Sequence, residues 1–104
     1  MLFNKSKKIA KRLKVGEEGH LSDLQLNQQA VVLALHNDNP ALRRRLLDMG
    51  ITKGVVVQIK KIAPLGDPVD IELRGYELCL RRADMRQIDI KVIEDENSFS
   101  RQSK

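Results

Sequence analysis

The segment Asn39–Ile62 constrains the fold of this chain most strongly, because it contains a helix with both ends marked, followed by a strand. Asn39 is suited to cap the start of the helix, and Pro40 to occupy the first helical position, where no backbone donor is lost. Gly50 can end the helix in the left-handed conformation. Residues 55–62 then alternate in the manner of a strand rich in valine and isoleucine. The segment predicts a helix–strand module against which the remaining elements pack.

Four other segments have the character of short strands, and they are Ala30–Leu35, Val69–Leu73, Tyr76–Leu80 and Ile88–Val92. The first is continuously apolar, which predicts a strand buried on both faces or over most of its length. Arg74 and Gly75 fit a tight hairpin connection. About five short strands with one or two short helices predict a mainly β fold, a small and partly open barrel that closes on one core. The predicted inward set is Val32, Leu46, Val57, Ile59, Ile71, Leu78, Leu80, Ile88 and Ile90.

The 104 residues are enough for one domain with a modest core, and an aromatic content of 3% makes that core aliphatic. A single cysteine excludes a disulfide framework within the chain. No apolar run approaches the roughly 20 residues that a membrane-spanning helix needs, and the N-terminus has no secretory signal pattern. We therefore expect a cytoplasmic protein.

The net charge of +5 is spread unevenly along the chain. Residues 1–19 carry six Lys or Arg against two Glu, whereas residues 20–93 carry eleven against nine. We interpret residues 1–19 as a flexible basic leader, residues 20–93 as the folded domain and residues 94–104 as a disordered polar tail. Such a leader can contact any polyanion, including an anionic membrane surface at the inner face of the cell membrane.

The sequence offers few residues for catalysis, cofactor binding or metal binding. His20 and His36 are far apart in the chain, without the spacing of a metal motif, so we expect no metal site and interpret them as exposed loop histidines. Cys79 alternates with the core residues of its strand and has no base beside it in sequence. Gly-rich phosphate loops are absent from the sequence. The prediction is a non-enzymatic protein without a cofactor.

The run Arg43–Arg45 has two interpretations. Three consecutive helical residues point in different directions, so they cannot all serve one contact. In the first interpretation the face is solvated, with Arg44 and Arg45 reaching Asp48. In the second, Arg43 and Arg44 bind an acidic partner surface.

The loop Ala63–Pro68 contains two prolines and a glycine and must turn the chain. Leu65 on such a rigid loop is a candidate anchor for a partner, because little entropy is lost when it inserts into a pocket. Asp67, with its charge directed outward in the turn, completes the candidate partner-binding set. The alternative is that Leu65 plugs the end of the barrel.

Together these segments resemble the ferrous iron transport protein A family, FeoA. The resemblance covers roughly Leu21 to Ile93, and it rests on the motifs Arg45-Leu46-x-Asp48-Met49-Gly50-x₃-Gly54-x₂-Val57, Ala63-Pro64-Leu65-Gly66-Asp67-Pro68, Gly75, Leu80-Arg81 and Ile88-x-Ile90. It implies an SH3-like barrel in the cytoplasm that works with the membrane ferrous iron transporter FeoB, whose cytosolic part carries a GTPase domain.

Three hypotheses about function, from different classes of protein, are compatible with the resemblance. The first hypothesis is an accessory protein that docks on or regulates FeoB. The second is a nucleic-acid-binding barrel or a repressor-type regulatory module, since metal-dependent repressors carry a similar barrel. The nearly neutral domain and the scarcity of aromatic side chains disfavour specific nucleic-acid binding. A third hypothesis is that an arginine of the run 43–45 acts as an arginine finger on the GTPase.

Overall fold

A computed structural model describes residues 13–95 of the chain. Six strands form one antiparallel sheet in the order β1-β6-β2-β3-β4-β5. The strands are β1 (Glu18–His20), β2 (Gln28–Leu35), β3 (Val56–Ile62), β4 (Val69–Leu73), β5 (Tyr76–Leu80) and β6 (Ile88–Asp95), and the helices are a 3-10 turn (Leu21–Asp23), α1 (Pro40–Asp48) and α2 (Arg82–Met85).

Helix α1 begins and ends where the sequence predicts. The Asn39 side chain accepts a hydrogen bond from the backbone N–H of Leu42 over 3.1 Å, and Pro40 is the first helical residue. At the other end, Gly50 has a φ of 96°. The backbone N–H groups of Gly50 and Ile51 donate to the carbonyls of Leu47 and Leu46, each over 3.0 Å. This pair of hydrogen bonds is the Schellman arrangement, which confirms Gly50 as the residue that ends the helix.

The mainly β prediction is confirmed, with six strands where we expected about five. The additional strand, β1, pairs Gly19 with Ile90 and His20 with Asp89 on β6. It has only three residues and one glycine, so it carries no periodicity that the sequence could reveal. The predicted hairpin between β4 and β5 is confirmed, and both of its turn residues have positive φ, as a type I′ turn requires.

Strand β2 is buried on one face only, and the expectation of burial on both faces was wrong. Ala30 and Val32 face the core, while Val31 between them and Leu33 after them are partly exposed. The burial of β2 alternates along most of its length, so one face packs on the core while the other contacts solvent, as is common in antiparallel sheets.

The core is aliphatic, as predicted. Eight of the nine residues predicted to face inward are buried, and Leu78 on the edge strand β5 is partly buried against them. The core also contains residues from the connecting segments, namely Leu21, Leu24, Ile51 and Met85. These four lie in short helices and loops, which are too short for a periodicity to indicate which side faces inward.

The predictions of a basic leader and a polar tail concern residues that lie largely outside the described range. Most of the basic leader precedes residue 13, and the described part of it includes Leu13, which packs against the core. At the other end, β6 includes Glu94 and Asp95, at the predicted start of the polar tail. Within residues 13–95, no helix has the length and apolar character needed to cross a membrane.

Candidate functional site

The candidate anchor Leu65 is almost entirely solvent-exposed, at 96%. It therefore does not plug the barrel. The loop that carries it is held in place at both sides of Leu65. The backbone N–H of Gly66 donates to the carbonyl of Ala63 over 2.7 Å, and the N–H of Ala63 donates to the carbonyl of Pro68 over 3.1 Å. The Asp67–Pro68 peptide bond is cis.

Arg82 fixes this loop to the rest of the domain. Its Nε donates to the carbonyl of Gly66 over 2.6 Å, and its Nη1 donates to the carbonyl of Ser22 over 2.7 Å. Asp67 accepts the backbone N–H of Arg82 over 2.8 Å. Asp67 thus has a structural role at the start of α2, which the sequence alone did not indicate.

Arg43 and Arg44 are exposed on α1 and line a shallow groove of about 710 Å³ together with Asn37, Pro40, Ala41, Leu47 and Asp48. Arg45 pairs with Asp84 of α2, with 3.6 Å between Nη2 and Oδ2. The expected partner of Arg45 was Asp48, and the structure corrects this to Asp84. Arg45 is thereby linked to α2, whose Arg82 holds the Leu65 loop through Gly66.

Cys79 is exposed on β5, next to Asp70 of β4. A hydrogen bond with Asp70 raises the pKa of the Cys79 thiol, and slight desolvation and the negative charges of Asp70 and Asp67 raise that pKa further. A raised pKa lowers the thiolate fraction at neutral pH, and the thiolate is the reactive form.

The structure brings together three residues that are distant in the sequence, and we call them the His–Asp cluster: His20, His36 and Asp89. His36 Nε2 lies 2.9 Å from Asp89 Oδ1, and His20 Nε2 lies 3.5 Å from the same oxygen. The two imidazole rings meet edge to face with their centroids 5.6 Å apart. The expectation of no metal site rested on the separation of the two histidines in sequence, and that argument does not hold in the folded chain.

A β-bulge places His36 in the cluster. The pairing of β2 with β6 shifts between Val32, which lies opposite Ile90, and Ala34, which lies opposite Asp89. The extra residue, Leu33, reverses the in–out alternation of β2. Positions 34 and 36 consequently lie on the outer face with Asp89. Bulges are not visible in a pattern of apolar residues, so the sequence did not indicate this cluster.

Comparisons of the sequence with a family model and with a known relative indicate one family. The FeoA domain matches residues 19–92. A protein of Porphyromonas gingivalis, described as an Fe(2+) transport protein A/Fe(2+) transporter FeoB fusion protein, is 34% identical over 73 residues. Those residues are 70% of this chain but 8% of that relative, so the chain spans a small part of its length.

Solved structures lead to the same family. An FeoA-like protein from Clostridium acetobutylicum superposes with a TM-score of 0.70 at 30% identity, covering 81% of this chain and 94% of that one. FeoA of Stenotrophomonas maltophilia, described as a procaryotic SH3 domain protein complexed with zinc, superposes with a TM-score of 0.58 at 29% identity, covering 76% of this chain and 92% of that one. The predicted SH3-like fold class is confirmed. Since the domain match covers most of the chain and includes every strand but the ends of β1 and β6, this protein belongs to the FeoA domain family.

Proposed function

We propose that this protein is a non-enzymatic accessory protein of bacterial ferrous iron uptake, which docks on the cytosolic side of the transporter FeoB. The observation that carries the proposal is that the Porphyromonas gingivalis relative is described as a fusion of an FeoA part and an FeoB part. Fusion keeps two modules at a high effective concentration, which is useful when they act on one another. Whether fused or separate, an FeoA domain that acts on the transporter needs a binding surface of its own.

The loop Ala63–Pro68 is the binding surface that we propose. Leu65 is the most exposed large apolar side chain among residues 13–95, and the hydrogen bonds of Arg82 and Asp67 hold its loop in one conformation. A rigid loop loses little entropy on binding, so most of the free energy from burying Leu65 remains available for affinity. Central apolar anchors of this kind often dominate the energetics of an interface.

Arg43 and Arg44 add a second, electrostatic component to the proposed interface. Both are exposed beside the shallow groove on α1, where they can attract an acidic surface of the transporter. Long-range attraction raises the association rate more than it raises the final affinity.

The basic leader has a supporting role in this proposal. Residues 1–12 include five Lys or Arg, and such a segment is attracted to anionic lipids at about 1 kcal/mol per basic residue near the surface. Weak contact of this kind would concentrate a cytoplasmic protein at the inner face of the membrane, where the transporter is found.

The proposal is tested by capture of the transporter from bacterial membranes. Tagged full-length protein is incubated with detergent-solubilised membranes from cells that contain FeoB and from cells that lack it. We expect FeoB in the bound fraction from the first membranes, at a yield that rises with protein concentration. Failure to capture FeoB under any of the salt conditions tested would contradict the docking proposal.

A further inference from the structure

We propose that the His–Asp cluster binds a divalent first-row transition-metal ion, of the class that includes Fe²⁺, Co²⁺ and Zn²⁺. His20 ends β1, Asp89 lies opposite it on β6, and His36 follows the end of β2. Three adjacent strands thus each contribute one ligand, and the ligand atoms lie within 4.8 Å of one another. This inference concerns the isolated protein and does not depend on docking to the transporter.

The spacing of the ligand atoms suits a metal ion. Bonds from a metal ion to its ligands are about 2.1 Å long. At the ligand–metal–ligand angles of octahedral and tetrahedral sites, two neighbouring ligand atoms then lie about 3.0–3.6 Å from each other. Asp89 Oδ1 is 2.9 Å from His36 Nε2 and 3.5 Å from His20 Nε2, so both pairs already have separations close to this range. Small rotations of the side chains bring the two imidazole nitrogens to a shared ion.

The ligand types decide which ions are favoured. Mg²⁺ and Ca²⁺ prefer all-oxygen sites, whereas two imidazole nitrogens with one carboxylate oxygen favour iron, cobalt, nickel, copper or zinc. The three side chains are between 32% and 47% exposed, so an ion can enter from solvent. Water can fill its remaining coordination positions. Three ligands with open positions give a site of moderate affinity rather than a closed structural site.

Two neighbouring residues can orient the histidines. Asp23 Oδ2 lies 3.9 Å from His20 Nδ1 and accepts the backbone N–H of His20 over 3.0 Å, so it is fixed beside the ring. The backbone carbonyl of Gln87 accepts a hydrogen bond from the backbone N–H of His36 over 2.9 Å, and both residues line one small pocket. The buried Oε1 of Gln87 has no hydrogen-bond partner among residues 13–95. A hydrogen bond from the Nδ1–H of His36 to this oxygen, formed by a side-chain rotation, would fix the tautomer of a histidine that binds a metal through Nε2.

The rival interpretation is a polar cluster in which His36 simply donates a hydrogen bond to Asp89. Calorimetric titration of the chelator-treated full-length protein with Zn²⁺, and with Fe²⁺ under anaerobic conditions, separates the two. We expect saturation at one equivalent with an affinity in the micromolar range. If the heat of binding saturates for neither Zn²⁺ nor Fe²⁺, the proposal is wrong.

Nuclear magnetic resonance of the unmodified protein gives a second test that needs no variant. The chain contains two histidines, so their ring signals are easily assigned. Both sets of signals should change on addition of Zn²⁺, and both changes should end at one equivalent. If either histidine keeps its ring signals unchanged at saturation, the proposed site is wrong.

Substitutions then identify the ligands. His20→Ala, His36→Ala and Asp89→Asn should each weaken Zn²⁺ binding about tenfold or more. The matched controls are Asp70→Asn, which removes a carboxylate from β4, and Cys79→Ser, which removes the thiol. Both controls should bind as the parent protein does. Unchanged affinity in the three ligand variants would show that the ion binds elsewhere and would contradict the proposal.

Discussion

Arg82 Nη1 donates a hydrogen bond to the carbonyl oxygen of Ser22 over 2.7 Å, across 60 positions of sequence. Ser22 follows the first strand of the sheet order and Arg82 follows the last, so this bond joins the two edges of the sheet. The same guanidinium holds the Leu65 loop through Gly66. One side chain therefore contributes both to closure of the barrel and to rigidity of the proposed docking loop.

Arg82→Met should lower the free energy of unfolding by about 1–3 kcal/mol, because two carbonyl groups lose a charged donor. Urea denaturation followed by circular dichroism measures the change. Arg82→Lys should recover only part of it, since one ammonium group cannot reproduce the fork of a guanidinium. Arg81→Met, at the exposed neighbouring position, is the matched control and should stay close to the parent protein. Equal stability of the Arg82 and Arg81 variants would contradict the role of Arg82.

Gly50→Val should destabilise the protein by about 1–3 kcal/mol through backbone strain alone, because a β-branched residue is disfavoured at positive φ. A clash adds to this cost, since a Cβ at Gly50 would lie 2.6 Å from Tyr76 Oη. Gly54→Val is the control, because Gly54 has a similar φ of 92° and open space around it. Thermal melts should rank Gly50→Val below Gly54→Val. Equal melting temperatures of the two variants would show that the clash is relieved.

Leu65→Glu should leave the melting temperature nearly unchanged, because the side chain it replaces makes almost no contact in the free protein. Capture of FeoB from membranes should be lost, since a charged group cannot enter an apolar pocket without a partner. Leu26→Glu, at another exposed leucine, is the control and should capture FeoB normally. A folded Leu65→Glu protein that still captures FeoB would refute the proposed anchor.

Arg43→Glu should weaken capture of FeoB at low ionic strength, and the difference from the parent protein should shrink as salt is added, because salt screens charge attraction between exposed groups. Capture yields over a series of salt concentrations provide the measurement. Lys91→Glu makes the same change of charge at an exposed position of β6, distant in the sheet order from the Leu65 loop. If the two variants behave alike, the effect comes from net charge rather than from Arg43.

Asp70→Asn should lower the pKa of Cys79, because Asp70 supplies the largest contribution that raises it. A lower pKa means more thiolate at a given pH, so alkylation by iodoacetamide at about pH 8 should be faster than in the parent protein. Alkylation rates measured over a pH series give the pKa of Cys79 in the variant and in the parent protein. Asp84→Asn, on α2, is the control. An unchanged rate in Asp70→Asn would show that the carboxylate does not govern the thiol.

The fold was predictable wherever local rules decide it. The caps of α1, the turn at Arg74-Gly75 and the alternation of β4 follow from backbone preferences and side-chain period, and the structure confirms them. Strand β1 and the one-sided burial of β2 were not predictable in this way. They depend on which strands become neighbours, and that is decided by packing across long sequence separations.

The same distinction between local rules and long-range packing separates the two candidate sites. Exposure of Leu65 follows from its place between Pro64 and Gly66, within a few residues of chain. The His–Asp cluster requires the register of three strands, and Asp89 is 53 positions from His36. The alternation of Ile88 and Ile90 does indicate that Asp89 faces outward, and this was the one signal that the sequence contained.

The bulge at Leu33 makes the composition of the outer face depend on how β2 pairs with β6 as well as on the identity of its residues. With the same residues and no bulge, simple alternation would turn position 36 toward the interior, although both histidines would remain in the sequence. Two relatives could therefore share every histidine and differ in whether those histidines meet. Transfer of this cluster between sequences requires a matching bulge before a matching residue.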